Sequence, residues 1–189
     1  MRRTLGCLTS LVLIAATAPR TALAGGVFFG FGGAMGNVDF DRDIFAANQT
    51  PSDDSFAGEW AVGYRFDSKL VIEGGGAVGI SLDLLIAGDN FELQDQHVMV
   101  GYAFQPAKRL SIVPQLGVSF WDFETEDGPG LFFLGSQRVD FDGSGSDWIA
   151  RVSFEWDTAK RFRPYAAYTE AHYDFGKSRA LSFGAKFQF

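Results

Sequence analysis

The sequence predicts an all-β protein: an eight-stranded antiparallel up-and-down transmembrane β-barrel. Three observations support this prediction. Segments of the chain alternate apolar and polar residues with the period of two that is typical of strands. Eight such segments follow one another, each near the ~9–11 residues that a tilted strand needs to cross a bilayer. Phenylalanine is abundant, with 20 residues, yet the mean hydropathy is only +0.03, because the apolar and polar faces of such strands cancel in an average.

Each segment has an apolar face, which we assign to lipid, and a small or polar face, which we assign to the interior. In chain order, the apolar faces of the first four contain Val27, Phe29 and Phe31; Phe56, Trp60, Val62 and Tyr64; Leu70, Ile72 and Val78; and Val98, Val100, Tyr102 and Phe104. Those of the last four contain Leu110, Ile112, Leu116, Val118 and Phe120; Trp148, Val152, Phe154 and Trp156; Tyr165, Ala167, Ala171 and Tyr173; and Leu181, Phe183, Ala185, Phe187 and Phe189. The last segment is expected to close the barrel against residues 27–35.

Short and long connections alternate between these segments, as in outer-membrane barrels. Residues 67–68, 105–108 and 157–161 are predicted tight turns, whereas residues 36–55 and 124–146 are predicted long links, with a shorter link at 174–177. Residues 82–86 and 91–95 are predicted to pair as a hairpin that projects beyond the membrane. The alternation changes parity between Asp95 and Val98, which predicts a β-bulge there.

The amino terminus predicts export. Arg2 and Arg3, a short apolar run and Ala22-Leu23-Ala24 match the three parts of a signal peptide, so we expect cleavage after Ala24, with residues 25–189 forming one barrel domain. The signal segment holds three arginines and no acid. The mature chain therefore has 13 basic and 23 acidic side chains, and its net charge is −10. The sole cysteine, Cys7, leaves with the signal, which excludes disulfide and thiol chemistry in the mature chain.

Charge is distributed unevenly between the two kinds of connection. The tight turns and the residues directly after them carry Lys69, Lys108, Arg109, Lys160 and Arg161, which suits an anionic phospholipid leaflet. The long links carry Asp39, Asp41, Asp43, Asp53, Asp54, Glu124, Glu126, Asp127, Asp140, Asp142 and Asp147. Two interpretations stay open for these acids: divalent cations bridging them to lipopolysaccharide phosphate, or polarity for solubility alone.

With its signal segment, its eight alternating segments and its closing aromatic residues, the chain resembles small bacterial outer-membrane barrels. The nearest sets are the outer membrane protein β-barrel domain family and the OmpA- and OmpX-like barrels, and the resemblance covers residues 25–189. It implies a multi-pass location in the bacterial outer membrane. It also implies that Phe189, helped by Leu181, Phe183 and Phe187, forms the signal read by the barrel-assembly machinery. The fold hosts many activities, so it does not fix a function.

Seven acidic and basic side chains, histidines aside, fall on faces assigned to the interior. They are Glu59, Arg65, Glu73, Arg151, Glu155, Glu170 and Lys186. Since the interior of eight strands is just wide enough for side chains, these groups must be paired or hydrated. One interpretation is a structural salt-bridge network. The other is a narrow gated channel, and four acids against three bases would favour cations.

The acidic stretch after residue 139 resembles the start of a calcium loop, with Asp140, Asp142 and Asp147 as oxygen ligands. No bidentate glutamate follows at the EF-hand distance, so a solvated acidic loop is the competing interpretation. No cofactor or firm metal site is predicted.

Enzymatic chemistry would need a serine within hydrogen-bond reach of a histidine. His172 has a position reminiscent of lipid A deacylases, but the serine which that family shows two residues later is replaced by Asp174. Ser178 or Ser182 could substitute only through the geometry of the next strand. We therefore predict a non-enzymatic, monomeric protein with a structural or surface-interaction role. The alternatives are a porin-like channel, a lipid A-modifying enzyme and a binding module for small hydrophobic ligands. Its expected partners are outer-membrane lipid and lipopolysaccharide, with no nucleic acid.

Overall fold

The computed structural model describes residues 26–40, 54–81, 89–127, 143–158 and 161–189. These residues form nine strand elements. They are β1 (Gly26–Phe40), β2 (Asp54–Arg65), β3 (Leu70–Ser81), β4 (Asp89–Tyr102), β5 (Phe104–Ala107), β6 (Leu110–Asp127), β7 (Gly143–Trp156), β8 (Phe162–Tyr173) and β9 (Gly176–Gln188). The short β5 follows β4 after a break at Ala103, so the nine elements make eight barrel strands. No described segment is a helix long and apolar enough to cross a membrane.

The strands form one closed antiparallel sheet. Its order is β4-β3-β2-β1-β9-β8-β7-β6-β5, and pairing of β4 with β6 completes the ring. The last strand pairs with the first, with Phe187 opposite Phe29 and Leu181 opposite Met35, as the sequence predicted. The predicted eight-stranded antiparallel barrel is therefore confirmed.

The strands run further than the alternation indicated at the end where the long links lie. β1 extends to Phe40, β6 to Asp127, and β7 begins at Gly143 rather than at residue 148. β6 alone has 18 residues, more than the ~9–11 that cross a bilayer, so its wall extends beyond the membrane. The predicted links 36–55 and 124–146 are correspondingly shorter.

The β-bulge predicted between Asp95 and Val98 is wrong. β4 pairs with both β3 and β6 without a register shift along its length. Leu93 points inward with Asp95, because it packs in an apolar cluster inside the barrel. An apolar side chain facing the interior thus gave the appearance of a parity change.

The predicted projecting hairpin is corrected as well. Residues 92–95 lie opposite residues 77–80 of β3 and residues 121–124 of β6, so both of their edges are paired within the barrel. Residues 82–88, which include all of the other predicted half, lie outside the described residues. A register irregularity does occur between Phe104 and Ala107, within the region predicted as a tight turn.

The interior has three layers along the barrel axis. An apolar cluster at the tight-turn end contains Phe28, Val71, Ala103 and Val113. A second apolar cluster, at the end of the long links, contains Val38, Leu93, Met99, Trp121, Phe123, Ile149, Ala171, Tyr173 and Phe175. Buried charged side chains lie between the two.

The outer wall carries a band of exposed apolar side chains. It includes Phe29, Phe31, Met35, Val98, Val100, Leu116, Phe120, Leu181 and Phe183. A continuous apolar surface of this extent is rare on soluble monomers, and it matches the lipid-facing band of a membrane barrel. Edge-to-face aromatic pairs, Tyr64 with Phe66 and Tyr102 with Phe104, lie near the tight-turn end, where an interfacial aromatic girdle is expected.

Candidate functional site

The candidate site is a belt of six charged side chains across the middle of the barrel, which we call the charge belt. Its members are Glu59, Arg65, Glu73, Arg151, Glu155 and Lys186. Successive side chains of a strand point to opposite faces of the barrel wall. All six of these residues lie at the inward positions of their strands. Five of the six are buried, and the side chain of Arg65 is only 13% exposed.

Arg151 on β7 joins two carboxylates. Its Nη2 donates to Oε2 of Glu59 over 2.8 Å, and its Nη1 donates to Oε1 of Glu73 over 3.2 Å. Its Nε donates to the hydroxyl of Thr169 over 3.0 Å. One guanidinium therefore spreads its donors over three partners, which the planar fork of arginine allows.

Lys186 on β9 connects Glu73 to the third acid of the belt, Glu155. Its Nζ lies 2.6 Å from Oε2 of Glu73 and 3.2 Å from Oε1 of Glu155. Arg65 pairs with the other oxygen of Glu155. The ammonium also lies 4.8 Å from the ring centroid of Phe28, which places a cation–π contact against the apolar cluster below.

Two of these ion pairs span the full width of the barrel. In the sheet order, β2 and β7 are four strands apart, so they lie on opposite walls of an eight-stranded ring. Both the pair of Glu59 with Arg151 and the pair of Arg65 with Glu155 join β2 to β7. The belt thus fills the cross-section of the lumen.

Glu170 does not belong to the belt. It was expected on the inward face of its strand, but the inward positions of β8 are those of Tyr165, Ala167, Ala171 and Tyr173. Glu170 faces outward, with its Oε1 3.4 Å from Nε2 of His172. Without Glu170 the belt holds three acids and three bases, so the excess of acids that would favour cations is absent from it.

Three polar side chains that were not predicted from the sequence complete the charge belt. Tyr165 and Ser182 both donate hydrogen bonds to Glu59, the second over 3.1 Å, and Thr169 accepts from Arg151. Neutral groups carry no charge pattern, so only their inward parity could have indicated them. Tyr165 was misassigned because its ring resembles a lipid-facing aromatic.

A second buried polar group lies on β4 and β6. Nδ1 of His97 is 2.8 Å from Oδ1 of Asp95, and the hydroxyl of Ser119 donates to Oδ2 of the same carboxylate. The carboxylate stands between the serine and the imidazole. The hydroxyl is therefore not bonded to the imidazole, in contrast to the serine–histidine pair of a hydrolase.

His172 and the candidate serines lie on opposite faces of the barrel wall. The ring of His172 is outward and stacks on Trp148, with 3.9 Å between centroids. Ser182 is buried inside, where it donates to Glu59, and Ser178 lines an internal cavity. The wall therefore separates the histidine from both hydroxyls.

The residues assigned to the assembly signal lie on the outer face of the last strand. Leu181 and Phe183 are exposed, and Phe187 stacks on Phe31 of β1 with 6.0 Å between centroids. The backbone N–H of Phe189 donates to the carbonyl of Val27 over 2.8 Å, which extends the pairing of β9 with β1. These positions are open to a partner in the membrane plane.

The weak calcium candidate falls mostly outside the described part of the chain. Asp140 and Asp142 lie outside it, whereas Asp147 is in β7 and accepts the backbone N–H of Trp148 over 2.7 Å. Among the described residues no group of three potential ligands could hold a metal ion.

The fold is shared with solved outer-membrane proteins. The attachment invasion locus protein Ail of Yersinia pestis aligns at 14% identity with a TM-score of 0.62, covering 87% of this chain and 99% of Ail. Neisserial surface protein A aligns at 13% identity with a TM-score of 0.63, covering 86% and 97%. OprG from Pseudomonas aeruginosa aligns at 10% identity with a TM-score of 0.55, covering 88% and 97%.

No curated protein sequence matches this chain. The sequence model described as "Outer membrane protein beta-barrel domain" matches residues 8–189, nearly the whole chain. The chain therefore belongs to the outer membrane protein beta-barrel domain family, whose place is the bacterial outer membrane.

Proposed function

We propose that this protein is a closed, non-enzymatic outer-membrane barrel with a structural and surface-interaction role, which carries acidic links on the cell exterior. The observation that supports this most is the charge belt. Two of its ion pairs join opposite walls, and apolar clusters lie above and below it. Such an interior favours a rigid scaffold.

The energetics of the belt oppose conduction. An ion that crossed the lumen would have to separate buried ion pairs, and a buried charge that loses its partner is strongly destabilised. Eight strands leave little space around these side chains for a water-filled path. The belt is therefore better suited to bracing the barrel than to lining a pore.

Planar-bilayer recordings test this proposal. Purified, folded wild-type protein should give no conductance steps. The double variant Arg65→Ser/Arg151→Ser removes both cross-barrel ties and should conduct, whereas the control Arg161→Ser/Arg179→Ser changes two exposed arginines and should stay silent. Regular steps from the wild type, similar to those of the belt variant, would favour the narrow channel instead.

The surface partner that we propose is lipopolysaccharide bridged by divalent cations to the acidic links. Ail has been solved in complex with the heparin analogue sucrose octasulfate, in a structure that aligns with a TM-score of 0.60 at 15% identity. The links of this chain are rich in acids, which repel a polyanion of that kind unless cations intervene. Binding of lipopolysaccharide vesicles that is lost on chelation supports the proposal, whereas binding that survives chelation contradicts it.

Export, assembly and oligomeric state belong to the same proposal. Residues 1–24 are removed on export, Leu181, Phe183, Phe187 and Phe189 contact the barrel-assembly machinery, and the mature protein is a monomer. Sequencing of the mature amino terminus should begin at Gly25. Light scattering in detergent should give the mass of one chain.

The geometry does not favour the lipid A-modifying alternative. His172 is separated by the wall from Ser178 and Ser182, and Ser119 is bonded to a carboxylate rather than to an imidazole. Mass spectra of lipid A should be identical with and without the gene. Loss of an acyl chain from lipid A only in cells that make the protein would support the enzyme hypothesis instead.

A further inference from the structure

A cavity of about 150 Å³ opens at the end of the barrel where the tight turns lie, and we call it the turn-side cavity. The polar residues that line it are Arg65, Lys69, Gln105, Ser111, Asp157 and Arg163. A cavity of ~150 Å³ holds a molecule the size of benzene, whereas drug-sized ligands need ~300–1,000 Å³. The turn-side cavity therefore suits a small ligand, or a single chemical group of a larger one.

The lining of the turn-side cavity has an excess of positive charge. Arg65 belongs to the charge belt, which has three acids and three bases and is neutral as a whole. Nε of Arg163 lies 2.6 Å from Oδ1 of Asp157, so these two charges compensate each other. Lys69 has no ion pair with another described residue. One uncompensated ammonium group therefore lines the cavity, which favours an anionic ligand.

The backbone of Lys69 is held in place at the mouth of the cavity. Its N–H donates to the carbonyl of Phe66 over 2.9 Å, and its carbonyl accepts from the N–H of Ala103 over 2.8 Å. Its φ of 70° is the one positive φ of a non-glycine residue within the described ranges. Glycine adopts this conformation without steric cost, whereas a residue with a Cβ is strained, and such strain is concentrated at functional sites. A lysine here thus points to a use of its side chain.

A buried hydroxyl group also lines the cavity. Ser111 is 5% exposed and lies at an inward position of β6, opposite Glu155 of β7. Its hydroxyl makes no hydrogen bond to another residue in the described part of the chain. A buried hydroxyl without a partner costs free energy, so an acceptor oxygen of a ligand that pairs with it is stabilised.

The donors of the cavity come from different parts of its wall. The ammonium of Lys69 comes from the turn between β2 and β3, the hydroxyl of Ser111 from β6 and the guanidinium of Arg163 from β8. Arg163 uses Nε for Asp157 and has two further nitrogens that donate. A planar carboxylate suits a single planar fork of donors, whereas a tetrahedral phosphate presents acceptor oxygens in several directions. Donors from three directions therefore favour a phosphate group.

We propose that the turn-side cavity binds one phosphate group, which belongs either to a phospholipid head group or to a small soluble phosphate. Lys69, Ser111 and Arg163 donate to its oxygens. An anionic phospholipid leaflet at this end of the barrel would bring such groups close to the cavity. This site goes beyond the proposed function, which concerns the acidic links at the opposite end of the barrel.

Calorimetric titration with inorganic phosphate tests this site in the folded protein in dodecyl maltoside, a detergent without phosphate. The wild type should bind phosphate at one saturable site. Lys69→Gln removes a charge-assisted hydrogen bond and should weaken binding about tenfold or more, and Ser111→Ala should weaken it about threefold. The matched control Lys108→Gln removes the same charge from another tight turn, outside the cavity lining, and should bind phosphate as the wild type does.

Native mass spectrometry in the same detergent separates the two sources of the phosphate group. If the source is a lipid, one added phosphatidylglycerol molecule should stay bound to the wild type and to Lys108→Gln and be lost from Lys69→Gln. If the source is a soluble phosphate, all three proteins should retain this lipid equally, while the phosphate titration still distinguishes them. The proposal is overturned if neither probe distinguishes Lys69→Gln from Lys108→Gln, or if acetate binds the wild type as tightly as phosphate.

Discussion

A single guanidinium holds two carboxylates inside this barrel. Arg151 is 5% exposed, and its partners Glu59 and Glu73 are buried as well. Removing one member of a buried ion pair is much more harmful than exchanging the whole pair for neutral groups, because it leaves a charge buried without compensation. Substitution of Arg151 alone therefore measures how much the charge belt contributes to the stability of the barrel.

Arg151→Met should lower the free energy of unfolding by about 3–5 kcal/mol, because Glu59 and Glu73 lose their shared cation. Urea unfolding in lipid vesicles measures this loss. Arg161→Met, at an exposed position, should stay within about 0.5 kcal/mol of the wild type. Adding Glu59→Gln to Arg151→Met should recover part of the loss. A single variant as stable as the wild type would show that the belt does not brace the barrel.

Two glycines of neighbouring strands make a matched test of packing. A Cβ at Gly75 would lie 2.6 Å from the carbonyl oxygen of Trp60 and 2.7 Å from Nε2 of His97, whereas a Cβ at Gly58 would meet nothing within 4 Å. Gly75→Ala should therefore cost about 1–3 kcal/mol of unfolding free energy through overpacking. Gly58→Ala should be neutral or mildly stabilising. Equal effects of the two substitutions in the same urea assay would contradict this packing.

At the scale of strands, the alternation predicted which elements exist but not always which face points inward. It assigned β2, β7 and β9 correctly, because within the predicted segments the charged side chains, such as Glu59, Glu155 and Lys186, lie on one face. It failed on β8, where the inward face carries Tyr165 and Tyr173 and the outward face carries Glu170. The lumen is polar in its middle and apolar at both ends. Apolar residues therefore face the interior as well as lipid, and apolar character alone does not identify the lipid-facing side.

The seam between β1 and β9 closes the barrel, and cysteine pairs can test its register. Met35 and Leu181 lie directly opposite each other on the outer face. In a Cys7→Ser background, Met35→Cys/Leu181→Cys should form a disulfide on oxidation, detected as a mobility shift of the unreduced, denatured protein. Met35→Cys/Phe183→Cys is the control. Its diagonal Cα separation of about 7–8 Å exceeds the reach of a disulfide. Efficient crosslinking of the control would indicate a register shifted by two residues.

The whole barrel was predictable because its main constraint is repeated in every strand. A chain that crosses lipid must satisfy all backbone groups between strands, so period-two alternation and short connections recur around the ring. The interior depends instead on which distant residues meet across the lumen. The ties from Arg151 to Glu59 and from Arg65 to Glu155 span 92 and 90 residues of sequence, and no local pattern specifies such partners.

The direction of the barrel in the membrane follows from its two unlike ends. Basic turns lie at one end and acidic links at the other, and the basic turns suit the anionic phospholipids of the periplasmic leaflet. With Cys7→Ser as background, Ser144→Cys places an exposed thiol at the outer end of β7, and Ser68→Cys places one in a tight turn. A large polyethylene glycol maleimide should label Ser144→Cys on intact cells. It should label Ser68→Cys only after the outer membrane is permeabilised. The reverse pattern of labelling would place the acidic links in the periplasm. That result would contradict a role of these links at the cell surface.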